Sequence, residues 1–182
     1  MKKICATILL FFILSNSYGQ LTKGNWLVGG NARFIKQKQK LLNSDVNSFV
    51  ADISPNVGYF FADKFAAGLR PGVGFFRSNS SGVIHKSTTL GVGPFVRYYL
   101  LSIENRTNLF AESSYRYATD FNGFRENTFT ISAGPAIFFN SSVGLELTLN
   151  YELFRSNAAT SLARTFFFNI GFQIHLEKET NP

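Results

Sequence analysis

The chain has 182 residues, 21 of them Phe and 15 Gly, with a formal net charge of +7 and a single cysteine, Cys5. That aromatic and glycine content excludes a disordered chain, and no stretch supplies the roughly 18 consecutive apolar residues of a membrane-crossing helix. One cysteine excludes a disulfide framework, and a basic balance without a recognition motif gives no support to nucleic-acid binding.

Lys2 and Lys3 precede the apolar run Ile4 to Leu14, and the small residues Ser17 and Gly19 stand third and first before Gln20. This order predicts a cleaved secretory signal peptide over residues 1–19 and one mature domain over residues 20–182. Cys5 leaves with the peptide, so the mature chain has no thiol to act as nucleophile or metal ligand. Loss of Lys2 and Lys3 takes the net charge from +7 to +5.

From Asn25 the chain alternates. Trp26, Val28, Gly30, Ala32 and Phe34 oppose Leu27, Gly29, Asn31 and Arg33, which predicts a strand over Asn25 to Ile35. Lys36 to Ser48 reads as a long polar loop. A second strand runs from Phe49 to Phe61 and turns at Ala62-Asp63-Lys64 into a third, Phe65 to Phe75. Ser78 to His85 reads as a Ser/Gly-rich loop before strand four, Thr89 to Leu100. Ser102 to Asn108 is a polar turn, and strand five spans Leu109 to Ala118. Thr119 to Asn127 reads as a loop, followed by strand six over Thr128 to Phe139. The turn Asn140-Ser141-Ser142 leads to strand seven, Val143 to Leu153, and Arg155 to Ala163 reads as the last loop. The closing strand, Thr165 to Leu176, sets Phe166, Phe168, Ile170, Phe172, Ile174 and Leu176 on one face against Phe167, Asn169, Gly171, Gln173 and His175.

The apolar faces are too hydrocarbon-rich, and the opposite faces too poor in Lys and Glu, for strands half exposed to water. The pattern predicts an all-β, eight-stranded antiparallel up-and-down transmembrane β-barrel, apolar outside and polar inside. Such a barrel has a mean hydropathy near zero, as here, because only alternate residues are apolar. Connections read as alternately long and short, the pattern of outer loops and periplasmic turns, and an even strand number places both termini in the periplasm. Trp26, Tyr59, Phe61, Tyr98, Tyr117, Phe139 and Tyr151, near strand ends, suit interfacial girdles. Pro55, Pro71, Pro94 and Pro135 fall on the apolar face without a ladder N–H, so bulges and interrupted strands are expected there.

The stretches Ile53-Ser-Pro-Asn-Val-Gly-Tyr-Phe, Leu69-Arg-Pro-Gly-Val-Gly-Phe-Phe, Leu90-Gly-Val-Gly-Pro-Phe-Val-Arg-Tyr-Tyr and Ile131-Ser-Ala-Gly-Pro-Ala-Ile-Phe-Phe echo one another. With the signal peptide and eight alternating segments, the mature chain resembles the small outer-membrane β-barrel family that includes the OmpX/OmpA-type barrels. The closing strand is similar to the carboxy-terminal signal which that family presents to the barrel-assembly machinery, with Leu176 at the usual aromatic position and Glu177 to Pro182 beyond it. The resemblance implies a cell outer-membrane location and a monomer.

Alternation points eight charged side chains inward: Arg33, Asp52, Arg70, Arg97, Glu112, Arg116, Glu146 and Glu152. Arg33 and Asp52 are expected at one height, Arg97, Glu112 and Glu146 at another, and Arg116 and Glu152 higher. Buried charges require partners, so the group reads as a salt-bridged filling that sets register. Gly68, Gly72, Gly74, Gly91 and Gly93 either make room for Phe60, Phe76, Phe95 and Tyr99 or leave a thin water path. The rim carries Lys36, Lys38, Lys40, Arg77, Lys86, Arg125, Arg155 and Arg164 against Asp45, Asp120 and Glu126, which suits contact with lipopolysaccharide phosphates.

His85-Lys86-Ser87 has a His-x-Ser spacing that resembles part of the catalytic set of outer-membrane lipid A deacylases, but no persuasive acid follows. His175 is expected among polar inner neighbours. No cofactor or metal motif is present. The leading functional reading is a non-enzymatic barrel with a structural or surface-contact role through four extracellular loops. A narrow channel comes second, a lipid-modifying enzyme third and a soluble lipocalin-like barrel fourth.

Overall fold

The structure is a computed structural model that describes residues 21–41, 44–157 and 162–176. The expected signal peptide and the tail after Leu176 lie outside the described residues. Eight strands follow in order: β1 (Trp26–Leu41), β2 (Ser44–Ala62), β3 (Phe65–Ser80), β4 (Val83–Tyr99), β5 (Thr107–Asp120), β6 (Arg125–Phe138), β7 (Val143–Ser156) and β8 (Ala163–Leu176). Each pairs antiparallel with the next, and β8 returns to β1, closing an up-and-down barrel.

Facing follows the alternation. Phe166, Phe168 and Leu147 point out and are exposed, Phe168 at 85%. Phe60, Phe95, Tyr99 and Phe110 point in and are buried. A soluble barrel with a lipocalin-like apolar centre would need the outward set inside, so that reading is overturned.

The long loops are a correction. Lys36 to Ser48 is mostly strand: β1 and β2 stay paired up to Leu41↔Ser44. Ser78 to His85 is likewise a hairpin, turned by Ser81 and Gly82, whose positive φ values of 49° and 90° give the twist such a turn needs. Thr119 to Asn127 shrinks to residues 121–124, and Arg155 to Ala163 to residues 157–162, part of which is not described. Connection length therefore does not distinguish the two ends. The strands hold 14 to 19 residues against the roughly 9–11 that cross a bilayer, and β1–β2 and β3–β4 carry their extra pairs at the end away from the termini. Above that depth both faces of a hairpin meet water, so hydrophobic alternation fades while backbone pairing continues.

The prolines give a second correction. Every strand runs through its proline, and the register is the same on both sides of each. What lapses is one ladder beside each proline: β2–β3 between Ile53↔Val73 and Val57↔Leu69, β4–β5 between Val92↔Tyr117 and Phe95↔Ser114, and β6–β7 between Ala133↔Leu149 and Ala136↔Glu146. Proline loses only the donor aimed at one neighbour, so pairing on the other side continues. Pro55 and Pro71 stand opposite each other in the β2–β3 register, so two missing donors share one gap. The one register shift recorded among these ladders lies between Phe60 and Ala62.

The described termini share an end, where Trp26 pairs with Leu176. There the segment before β1 folds under the barrel. Lys64 N donates to Leu21 O at 2.7 Å, Gly24 N to Phe60 O at 2.9 Å and Lys23 N to Asp63 Oδ1 at 2.8 Å. Leu21 is thereby fully buried.

Candidate functional site

The interior has three levels. The floor, at the termini end, is aromatic: Phe60, Tyr99, Phe110 and Phe138 are buried around His175. The imidazole lies 5.3 Å from Phe138, 5.8 Å from Phe60 and 6.2 Å from Tyr99, with Nε2 3.3 Å from the Tyr99 hydroxyl. The expectation of polar neighbours for His175 is thus corrected: its surroundings are mainly rings, contributed by β2, β4 and β6.

Immediately above lies a buried charge cluster. Arg97 and Glu112 are cross-strand partners, and Arg97 Nε and Nη2 both donate to Glu112 Oε2, at 2.9 and 2.7 Å. Arg97 Nη1 donates to Glu146 Oε1 at 2.5 Å, and Arg70 Nη2 to Glu112 Oε1 at 2.8 Å. The Arg97 guanidinium also sits 4.2 Å from the Phe110 ring centre, and that of Arg70 5.0 Å from Phe95. The glycines have a defined use here. A methyl group added at Gly58 or Gly68 would come within 2.8 Å of the Phe95 ring.

Higher up, the interior holds two cavities, of about 190 and 540 Å³, both bordered by Arg33, Asp52, Arg116 and Glu152. Arg33 and Asp52 are register partners, but Asp52 is engaged by Arg116, at 3.3 Å, and by the Ser54 hydroxyl, at 2.8 Å. Arg116 Nη1 also lies 3.7 Å from Glu126 Oε1. Glu126 is therefore not a rim acid as expected; it faces inward with Thr128. Asp120 likewise borders the upper cavity. Both were missed because β5 and β6 extend further than their apolar alternation. Phe76 lines this cavity and is partly exposed, unlike Phe60, Phe95 and Tyr99.

Ser87 and His85 share a face of β4, yet the Ser87 hydroxyl donates to Asp120 Oδ2 at 2.9 Å. A carboxylate so placed anchors the hydroxyl, and the serine–imidazole bond of an activated nucleophile is not formed.

The eight basic rim residues, Lys36, Lys38, Lys40, Arg77, Lys86, Arg125, Arg155 and Arg164, are all exposed. Register aligns some of them: Lys36 pairs with Phe49, Phe49 with Arg77, and Arg77 with Lys86. Three cations and one ring thus form a row across β1 to β4, directly above the apolar wall. Lys38 is held by Asp45 at 3.8 Å.

Among solved structures, the crystal structure of the outer membrane protein OprG from Pseudomonas aeruginosa superposes with a TM-score of 0.52 at 13% identity, over 86% of this chain and 98% of that one. The fold is that of a small outer-membrane β-barrel. At that identity the likeness speaks for architecture alone. No family model and no curated protein sequence matches the chain.

Proposed function

We propose that this chain is an integral outer-membrane β-barrel, non-enzymatic, with both termini in the periplasm and its extended hairpins on the cell surface, where they serve envelope structure or surface contact. The observation that carries this reading is the outward face, where Phe166, Phe168, Ile170 and Phe172 stand exposed on one strand of a closed barrel. Exposed rings in such a continuous column are costly in water and suited to acyl chains. The aromatic floor and the Arg97 cluster, filling the end beside the termini, favour surface presentation over conduction.

The row Lys36–Phe49–Arg77–Lys86 supports lipopolysaccharide as a lipid partner: each cation near the surface contributes on the order of 1 kcal/mol towards phosphate, and the ring meets acyl carbons. The carboxy-terminal strand suits delivery to the barrel-assembly machinery, and the barrel functions as a monomer.

Membrane extraction tests the reading. The protein is expected in the outer-membrane fraction, soluble only with detergent and migrating faster unheated than boiled. A monodisperse protein in buffer without amphiphile would overturn it. Charge removal at Lys36, Arg77 and Lys86 is expected to reduce co-purifying lipopolysaccharide, and unchanged retention would reject that contact.

A further inference from the structure

The barrel is joined unevenly. β1 and β8 share five residue pairs, from Trp26↔Leu176 to Gly30↔Phe172, whereas β1 and β2 remain paired up to Leu41↔Ser44. Beyond Gly30, β1 follows β2 and β8 follows β7, each with a bare edge. Gly30 marks the parting point. Its φ of +149° is one that residues with a Cβ rarely adopt, and a Cβ there would stand 2.7 Å from Pro55 Cα.

In the shared register Asn31, Ala32 and Arg33 would next meet Gly171, Ile170 and Asn169. Instead the lower cavity, which occupies the barrel interior, is bordered along the two lips by Asn31, Ala32 and Arg33 on one and by Phe167, Phe168 and Asn169 on the other. Ala32 and Phe168 belong to the outward face, so the cavity reaches the outside of the wall. Outward Phe166, Phe168 and Ile170 set this slit at acyl-chain depth, where bare backbone edges are costly unless they border a polar cavity. Asn169 Oδ1 accepts the Ile170 N–H at 3.0 Å, a local substitute for strand pairing.

The polar groups beside the slit suit one ligand chemistry. The Arg33 guanidinium lies 5.6 Å from the Phe167 ring centre and, among the described residues, has no carboxylate within ion-pair distance. Deeper in, Arg116 Nε and Nη2 are buried donors without a hydrogen-bond partner. The cavity end towards the periplasm is stopped by the charge cluster and the aromatic floor. The geometry points to a lateral binding site for a single-chain amphiphile with an anionic headgroup: the head enters through the β1–β8 slit towards Arg33, and the chain stays outside against Phe168 and Ile170. This rests on the membrane-embedded reading above.

Photocrosslinking tests it in phospholipid nanodiscs of phosphatidylcholine, containing either palmitate or lysophosphatidic acid. p-Benzoylphenylalanine replaces Phe167 in the slit or, as a wall control at the same level, Ile131 on β6. Position 131 should capture phosphatidylcholine, and position 167 should capture the single-chain probe in preference to it. Arg33→Gln should lower capture at 167 about tenfold or more, as expected for loss of a charge-assisted bond, with Arg33→Lys restoring part. Capture of palmitate alone assigns a carboxylate head, and of lysophosphatidic acid alone a phosphate. A folded barrel that labels at 131 but captures neither probe at 167, or is indifferent to Arg33→Gln, overturns the site. Failure of lipid capture at 131 would instead overturn the membrane reading. Should Phe167 prove intolerant of replacement, the same probe at Asn169 gives the same decision.

Discussion

Arg97 places two of its nitrogens on one oxygen of Glu112, its cross-strand partner, while its third reaches Glu146. This ties β4 to β5 and β7 through one buried guanidinium. Breaking such a group by removing one member leaves uncompensated charge and costs about 3–5 kcal/mol. Arg97→Met should therefore lower stability by that order in urea titrations of the lipid-reconstituted barrel, read by heat-modifiable migration. Combining Arg97→Met with Glu146→Gln should cost less than the single change, because Glu112 keeps its bond to Arg70 and no unpaired carboxylate remains. A double variant weaker than Arg97→Met would contradict the account.

The outward face supplies a sharper contrast. Leu147 pairs with Ile170 amid the apolar columns, so Leu147→Arg should cost roughly 2–4 kcal/mol as a charge at bilayer midplane. Asn47→Arg, on the same outward face but level with Lys38, should cost about 0–1 kcal/mol. Equal costs in the same titration would mean that the two positions do not differ in depth.

Gly58 and Phe95 make a pair that only one large side chain satisfies. A Cβ at Gly58 would lie 2.8 Å from the Phe95 ring, its nearest neighbour. Gly58→Val is expected to destabilise by about 1–3 kcal/mol through overpacking. Adding Phe95→Ala should recover part of that loss, and purely additive costs would place the strain elsewhere.

The floor predicts electrical silence. In planar bilayers the unaltered barrel should show no discrete conductance steps. Steps from the unaltered protein would require a path past Tyr99 and His175.

Much of the architecture is legible in the chain because a strand's period of two is read directly from residue type wherever one face meets hydrocarbon and the other does not. That suffices for eight strands, for their facing, and for the shared height of Arg33 with Asp52 and of Arg97 with Glu112. It fails above the apolar zone, where Lys-Gln-Lys-Gln-Lys carries no contrast between faces although the backbone remains paired. By residue type alone Glu126 and Asp120 therefore look like rim residues.

Alternation by itself thus determined which side chains turn outward and which charges share the interior, since facing depends only on position along a strand. Tertiary structure decided what each charge touches: Asp52 is taken by Arg116 from a distant strand, leaving Arg33 at an open edge. It also decided how far the closing seam is paired. Strand order predicts that β8 meets β1, but the extent of that meeting depends on the curvature of the whole sheet and on a single glycine, Gly30, holding a conformation that permits the strands to separate.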